Sequence, residues 1–114
     1  MGRKRRNISE YRAMWLVAMF DLPVDSKRAR REYTRFRTEL LKQGFTMMQF
    51  SVYKRYCNSE ERSDLFRRRI KQVLPPGGEV RLLAVTDRQF GKMEVFLGKR
   101  RSETEKPPDQ LMLF

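Results

Sequence analysis

An unbroken run of eight apolar residues, from Ala13 to Phe20, constrains the fold of this chain more than any other feature. The run contains no polar alternation, which is typical of a strand that is covered on both faces. Asp21 ends the run, and Leu22-Pro23 follow it as a turn. The sequence therefore predicts a central buried strand that carries a carboxylate at its end.

A basic amphipathic helix is predicted after this strand, over residues 26–43. Asp25 or Ser26 is the expected N-cap, and Gly44 lies where a helix C-terminus favours glycine. The apolar side chains of this segment recur at steps of four, three and four, which is the spacing of one buried face: Ala29, Tyr33, Phe36 and Leu40.

Further strands and a second helix are predicted downstream. Residues 45–57 are rich in strand formers, and the segment is long for one strand, so we expect a bend or bulge near Gln49–Ser51. Asn58 and Glu61 have the spacing of an N-cap followed by a carboxylate three residues on, which predicts the start of the second helix. Two more apolar segments are expected as strands: residues 79–87 and 93–97.

This order of elements predicts an α+β, ferredoxin-like βαββαβ sandwich, with two helices on one face of an antiparallel sheet. Because the helices cover only one face, we expect a homodimer to cover the other. The predicted segments are a basic arm over 1–11, the ferredoxin-like domain over 12–98, a polar linker over 99–109 and a terminal strand over 110–114. That extra C-terminal strand is expected to be exchanged with, or packed on, the partner through four apolar residues: Leu111, Met112, Leu113 and Phe114.

The net charge of the chain limits the kinds of partner that it can bind. The chain has 26 Lys+Arg against 14 Asp+Glu, a net charge of +12 at pH 7, which indicates a polyanion such as DNA, RNA or an acidic membrane surface. No apolar stretch approaches the roughly 20 residues that span a bilayer. A single cysteine cannot form a disulfide within the chain. We therefore expect a soluble intracellular protein. The chain has no histidine, which excludes His-based acid–base catalysis and zinc sites with His ligands.

Basic residues are concentrated in two segments. The predicted first helix holds seven basic and two acidic side chains over residues 27–42, and their even spacing suits a phosphate backbone better than base edges. The N-terminal arm adds a basic cluster that is either a solvated tail or a phosphate-gripping arm. The predicted nucleic-acid contacts are Lys27, Arg28, Arg31, Arg35 and Lys42 on the helix, with Arg3, Lys4, Arg5 and Arg6 on the arm.

Asp21 is the candidate catalytic and metal-binding residue. Mg²⁺ is held in many sites by one or two carboxylates together with substrate phosphates, so a dimer axis that brings two Asp21 residues together meets that minimum. Such a site supports phosphodiester hydrolysis. An alternative is a structural carboxylate that accepts backbone N–H groups or faces a nearby arginine. The residues alone leave both interpretations open.

Four segments in order and at suitable spacing resemble a known family: Phe20-Asp21-Leu22-Pro23, Gly44-Phe45, Gln49-Phe50-Ser51-Val52-Tyr53 and Thr86-Asp87-Arg88-Gln89-Phe90. They are similar to the small CRISPR-associated protein two, the partner of the CRISPR integrase, and look closest to members that accompany type II systems. The resemblance runs from about residue 12 to residue 98. The basic arm before residue 12 is not part of the usual family pattern.

The resemblance implies a cytoplasmic prokaryotic protein with a ferredoxin-like homodimeric structure. It implies a heterohexameric complex with the CRISPR integrase that captures foreign double-stranded DNA and inserts it as spacers, in antiviral defence. Members are also described as endonucleases on single-stranded RNA or double-stranded DNA that depend on Mg²⁺ or another divalent metal. The residue assigned to that activity falls on Asp21 here, and the DNA-contacting surface falls on the first helix.

Three functional interpretations follow. The principal one is a DNA-binding scaffold that bridges integrase subunits during spacer acquisition and needs no catalysis of its own. The alternative is a metal-dependent endonuclease that uses Asp21. A toxin-like ribonuclease outside CRISPR systems shares the predicted fold and is the third.

The C-terminus carries a separate resemblance. Gln110-Leu111-Met112-Leu113-Phe114 is similar to the short Gln-Leu-x-Leu-Phe peptide by which bacterial proteins bind the replication sliding clamp. We interpret these residues as the exchanged C-terminal strand, because matches of five residues arise often by chance. Binding to a sliding clamp is the alternative partner for this segment.

Overall fold

A computed structural model describes residues 13–108 of the chain. Its elements, in chain order, are β1 (Met14–Asp21), α1 (Lys27–Lys42), β2 (Thr46–Gln49), β3 (Val52–Cys57), α2 (Glu60–Lys71), β4 (Glu79–Thr86), α3 (Asp87–Gly91), β5 (Val95–Leu97) and β6 (Arg100–Ser102).

The first four strands form one antiparallel sheet in the order β2-β3-β1-β4. The central strand β1 pairs with β3 from Met14 opposite Cys57, and with β4 as far as Asp21 opposite Glu79. This order, with a helix after β1 and another after β3, confirms the predicted α+β, ferredoxin-like plan.

The two faces of β1 belong to two separate apolar clusters, as its unbroken hydrophobic run predicts. Leu16, Ala18 and Phe20 pack on the helical side, where Phe36 of α1 and Ile70 of α2 are fully buried. The alternate positions face the other side of the sheet and join a second cluster: Trp15, Val17 and Met19. A strand that is apolar on both faces thus occupies the centre of the sheet.

Helix α1 has the predicted ends and the predicted buried face. The Ser26 side chain accepts a hydrogen bond from the Ala29 N–H at 3.0 Å, so Ser26 rather than Asp25 is the N-cap. At the other end Gly44 has φ +86°, a left-handed conformation that glycine adopts without a steric cost. Phe36 and Leu40 lie fully within the core, and Tyr33 is half-buried against it.

The predicted bend between the second and third strands is confirmed. A turn at Phe50 and Ser51 separates β2 from β3, and the register of the two strands shifts between Met47 and Gln49. Ser51 has φ +62°, which is uncommon for a residue other than glycine.

The predicted cap of the second helix was wrong by one residue. Ser59, not Asn58, is the N-cap of α2, and its side chain accepts from the Arg62 N–H at 3.1 Å. Glu60 and Glu61 occupy the first turn, where carboxylates interact favourably with the helix dipole.

A short third helix, α3, was not predicted. It begins with a capping box in which Thr86 and Gln89 each satisfy a backbone N–H of the other, and this pair was the available sequence signal. Its Phe90 is buried and stacks on Trp15 with ring centroids 4.2 Å apart, so α3 covers part of the second sheet face.

The segment predicted as a linker begins with a paired strand, because β6 forms a hairpin with β5. The other predicted segment boundaries stay predictions. Within residues 13–108 no helix is long and apolar enough to cross a membrane.

Several predicted residues lie outside the described part of the chain. These are the arm residues Arg3, Lys4, Arg5 and Arg6, and the C-terminal residues Gln110, Leu111, Met112, Leu113 and Phe114. The exchanged terminal strand and the sliding-clamp peptide therefore stay predictions.

Candidate nucleic-acid interface

Asp21 is the last residue of β1, and its side chain is exposed. Within residues 13–108 its carboxylate forms no hydrogen bond and no ion pair. The structural interpretation of Asp21, as an acceptor of backbone N–H groups or a partner of an arginine, thus has no support among the described residues. A carboxylate without an internal partner is available to a ligand.

The backbone at Asp21 is held from two sides. The Phe20 N–H donates to the Ser51 carbonyl at 3.0 Å, which ties the β2–β3 turn to the end of β1. The Ser51 hydroxyl in turn lies 3.1 Å from the Tyr33 hydroxyl on α1. On the other side, Gly78 packs so closely that a Cβ atom there would lie 2.6 Å from the Asp21 carbonyl oxygen. These contacts fix the direction in which the carboxylate leaves the sheet.

A second carboxylate lies beside Asp21 across the β1–β4 ladder. Glu79 is its register partner, so the two side chains leave the same face of the sheet. Glu79 is engaged by Arg81, with Oε1 2.9 Å from Nε and Oε2 3.4 Å from Nη2. The hydrogen bond and the charge of Arg81 hold the pKa of Glu79 below its ordinary value. Of the two carboxylates at this end of the sheet, Asp21 is therefore the one whose charge is not neutralised by a neighbour within residues 13–108.

These residues supply only part of a divalent-metal site. No group of three or more His, Cys, Asp or Glu that could hold a metal ion occurs in the described part of the chain. Mg²⁺ is bound in many proteins through one or two carboxylates together with waters and substrate phosphates. Asp21 supplies one carboxylate, so a complete Mg²⁺ site forms here only when a nucleic acid or a second chain supplies the other ligands.

A basic groove follows the exposed side of the first half of α1. Its volume is about 580 Å³, and its lining contains four cations and one hydroxyl but no carboxylate: Lys27, Arg30, Arg31, Thr34 and Arg35. Positions 27, 31 and 35 are spaced by four residues and so lie along one side of the helix. Cations in such a row, facing solvent, suit the repeated phosphates of a nucleic-acid backbone.

The predicted contact residues on α1 do not all share this groove. Arg28 lines a different cleft, of about 290 Å³, between the β1–α1 turn and residues 75–77. Lys42 lies at the far end of the helix, where its Nζ is 3.9 Å from Glu39.

Arg35 lines the groove but also has an internal role. It is half-buried, its Nε donates to Glu32 at 2.8 Å, and its Nη1 donates to the Val73 carbonyl at 3.2 Å. Arg35 therefore holds the segment after α2 against α1. Fewer of its N–H groups are available to a ligand than the sequence indicates.

Two residues of this region were not predicted as contacts. Arg30 lines the groove, and its Nη1 also donates to the Val24 carbonyl at 3.1 Å; its position three residues after Lys27 was the available signal. Phe50 lies at the tip of the β2–β3 turn and is 89% exposed, at the same end of the sheet as Asp21. An aromatic side chain inside a strand-like segment is normally assigned to the core, so no local pattern indicated this exposure.

Comparison with known protein families finds a match over most of the described residues. The sequence model of the family described as "CRISPR associated protein Cas2" matches residues 14–93, which extend from the start of β1 to just beyond α3. The match includes Asp21, the basic groove and the β2–β3 turn.

Curated relatives resemble the chain over most of its length. A protein of Parvibaculum lavamentivorans is 52% identical over 101 residues, covering 89% of this chain and 100% of the relative. Proteins of Flavobacterium psychrophilum and Paracidovorax avenae are 43% and 46% identical over 107 residues, covering 94% of this chain and 93% and 99% of the relatives. All three relatives carry the name CRISPR-associated endoribonuclease Cas2. On these grounds the chain belongs to the Cas2 family of CRISPR-associated proteins.

Proposed function

We propose that this chain is a DNA-binding scaffold of CRISPR adaptation, which holds double-stranded DNA while a partner integrase inserts it as a new spacer. The observation that carries the proposal is the carboxylate-free basic groove on α1, in a chain of net charge +12. Membership of the Cas2 family supplies the CRISPR context. Phosphate contacts of this kind position a duplex without reading its sequence, which suits a protein that must accept foreign DNA of any sequence.

We further propose that the scaffold is a homodimer formed through the second sheet face. Leu83 lies opposite Val17 in the β1–β4 ladder, on the sheet face that carries the second apolar cluster, and is 49% exposed. Phe96 and Leu97 of β5 are also exposed. A second copy of the chain would remove these side chains from water. Sedimentation equilibrium of Leu83→Glu is expected to give a weaker dimer than wild type.

The binding experiment measures the affinity of the full chain for fluorescein-labelled 30-bp duplexes of two unrelated sequences between 50 and 300 mM NaCl, in EDTA. The logarithm of the affinity is expected to fall linearly with the logarithm of the salt concentration, similarly for both sequences. Lys27→Gln/Arg31→Gln should reduce that slope by about two for each protomer in contact with the duplex, because each lost phosphate contact removes about 0.9 from it.

The matched control is Lys92→Gln/Lys99→Gln, which removes the same charge from two exposed positions away from α1. It should leave the slope near the wild-type value. Affinity that does not depend on salt, or an equal loss in both variants, contradicts the scaffold proposal.

A second candidate function is metal-dependent cleavage of single-stranded nucleic acid. It is favoured by Asp21, which has no partner within residues 13–108, and by the exposed ring of Phe50 at the same end of the sheet. Stacking of a base on an aromatic ring is a common mode of single-strand binding. The relatives are named endoribonucleases, which is consistent with this activity.

Cleavage of a labelled single-stranded RNA in Mg²⁺ tests this candidate. Asp21→Asn should abolish cleavage and leave duplex binding in EDTA unchanged, because the groove on α1 does not include Asp21. Phe50→Leu should weaken RNA binding more than duplex binding. If wild type and Asp21→Asn cleave at the same rate, the observed nuclease does not belong to this site.

A further inference from the structure

Three arginines surround the ring of Phe66 at the end of the sheet opposite Asp21. The guanidinium carbon of Arg55 lies 3.8 Å from the ring centroid, and those of Arg62 and Arg69 lie at 5.4 and 5.2 Å. Arg62, Phe66 and Arg69 follow one another at steps of four and three along α2, so they share one side of that helix. Phe66 itself is buried.

Arg55 is held in a fixed position. Its Nε donates to the Gln43 carbonyl at 2.8 Å and its Nη1 donates to the Tyr56 carbonyl at 2.6 Å. Burial lowers the pKa of Arg55, and the charges of Arg62 and Arg69 lower it further. Three like charges are thus brought together around one ring, which is unfavourable unless an anion offsets them.

No carboxylate within residues 13–108 pairs with any of the three arginines. Glu60 and Glu61 precede Arg62 in the first turn of α2, but neither is among the carboxylates that form ion pairs in this part of the chain. A cleft of about 680 Å³ opens beside Arg55 and Arg62. The carboxylate in its lining, Glu105, is engaged by Lys54, with Oε2 3.4 Å from Nζ.

The cluster is separate from the groove on α1. Cys57 lies opposite Met14 in the β1–β3 ladder, so Arg55 is near the beginning of β1, whereas Asp21 and the first turn of α1 are at its end. Helix α1 has 16 residues and therefore a length of about 24 Å. That length corresponds to about seven base-pair steps of duplex DNA.

We infer that Arg55, Arg62 and Arg69 form a second phosphate-binding site, which holds a backbone phosphate of the nucleic acid that the groove on α1 contacts. The inference rests on the proposed nucleic-acid-binding function and extends it to a residue set on β3 and α2. Guanidinium groups suit this ligand because they donate to phosphate oxygens in a planar, bidentate manner. Arg55 is the fixed member of the set, and Arg62 and Arg69 are exposed and close over the phosphate.

The test compares two variants of the full chain in the duplex-binding assay. Arg62→Gln/Arg69→Gln removes two cations of the cluster. Arg68→Gln/Lys71→Gln removes the same charge from the solvent side of the same helix, where both residues are exposed. The first variant should reduce the salt slope by about one for each protomer in contact with the duplex, because the site holds one phosphate, and should reduce the affinity by roughly fivefold at 150 mM salt, while the control should lose less than roughly twofold.

A second measurement does not depend on the folding of any variant. Wild-type protein is treated with phenylglyoxal, which modifies arginine, in the presence and absence of duplex DNA, and modified positions are identified by mass spectrometry. Protection of Arg62 and Arg69 by DNA, with Arg68 unprotected, is the expected result. Equal modification with and without DNA overturns the inference, and so does an equal loss of affinity in the two variants; the cluster then serves only to cover Phe66.

The outcomes also separate this inference from the function on which it rests. If Lys27→Gln/Arg31→Gln weakens duplex binding and Arg62→Gln/Arg69→Gln does not, the second site is absent and the groove stands. If wild type does not bind duplex DNA, both proposals fail.

Discussion

Asp21 and Glu79 lie directly opposite each other in the β1–β4 ladder. Of these two carboxylates, only Glu79 is paired with a cation of the described residues, Arg81. Two carboxylates at opposed positions repel each other, and the Arg81 guanidinium offsets one of the two charges while leaving the other exposed. Asp21 also lies only a short turn before the start of the basic groove on α1. The residue proposed for chemistry, Asp21, does not line the groove proposed for DNA binding. Either can therefore be substituted without changing the side chains of the other.

Gly78 is expected to tolerate no side chain, because it has φ +80° and approaches the Asp21 backbone. Gly78→Ala should lower the free energy of unfolding by about 1 kcal/mol or more, since alanine at positive φ is strained and its Cβ atom clashes. A Cβ atom on the neighbouring Gly77 would meet nothing within 4 Å, which makes Gly77→Ala the matched control. Urea unfolding of both variants makes the comparison, and equal stabilities would contradict the close packing at Asp21.

The hydrogen bond between Trp15 and Asp87 is expected to stabilise the second sheet face. The indole Nε1 donates to Asp87 Oδ1 at 2.8 Å, and Trp15 is only 4% exposed. Asp87→Ala leaves this buried donor without its acceptor and should cost about 1–3 kcal/mol of unfolding free energy. Asp87→Asn keeps an acceptor oxygen and should cost less. An equal loss in Ala and Asn variants would mean that the hydrogen bond is not the source of the stability.

Cys57 is expected to make stability depend on pH in the alkaline range. Burial raises the pKa of the Cys57 thiol, although the nearby Arg55 and Arg62 oppose that shift. A group with a raised pKa in the folded state binds more protons there than in the unfolded state, so the free energy of unfolding falls as pH rises. The decline should begin above about pH 8.5, the pKa of an unfolded thiol.

Unfolding of wild type and Cys57→Ala between pH 7 and 9.5 measures this effect. The variant should lose the decline over that range, because its folded and unfolded states bind the same number of protons at position 57. Parallel pH profiles would show that another group is responsible. Tyr56, whose pKa burial also raises, is expected to contribute only at higher pH, since an unfolded tyrosine titrates near about 10.

The features that were predicted correctly from the sequence are those with a long or periodic signal. The apolar run before Asp21 identified the central strand, and the steps between Tyr33, Phe36 and Leu40 identified the buried face of α1. Helix α3 has five residues, which is too short for periodicity, and only the Thr86–Gln89 capping box marks it. The cap of α2 was misplaced because Asn58 and Ser59 are both good N-cap residues and neighbours in the chain.

The site was predictable only in part, because side-chain partners depend on tertiary contacts. The exposure of Asp21 follows from its position at a strand end. The internal bonds of Arg35 depend on where the chain passes after α2, which no local pattern reveals. The cluster around Phe66 combines Arg55 of β3 with residues of α2, and its members are brought together only by the packing of that helix on the sheet.

Spacer acquisition in cells that carry the partner integrase and a CRISPR array tests the central claim most directly. The strains compared express wild type, Asp21→Asn, Lys27→Gln/Arg31→Gln, the control Lys92→Gln/Lys99→Gln, or no protein, at matched levels of folded protein. The scaffold account predicts new spacers with wild type, Asp21→Asn and the control, and few or none with the groove variant or the deletion. Loss of acquisition in Asp21→Asn while the groove variant still acquires spacers would contradict it and place the carboxylate, not the basic groove, at the centre of the function.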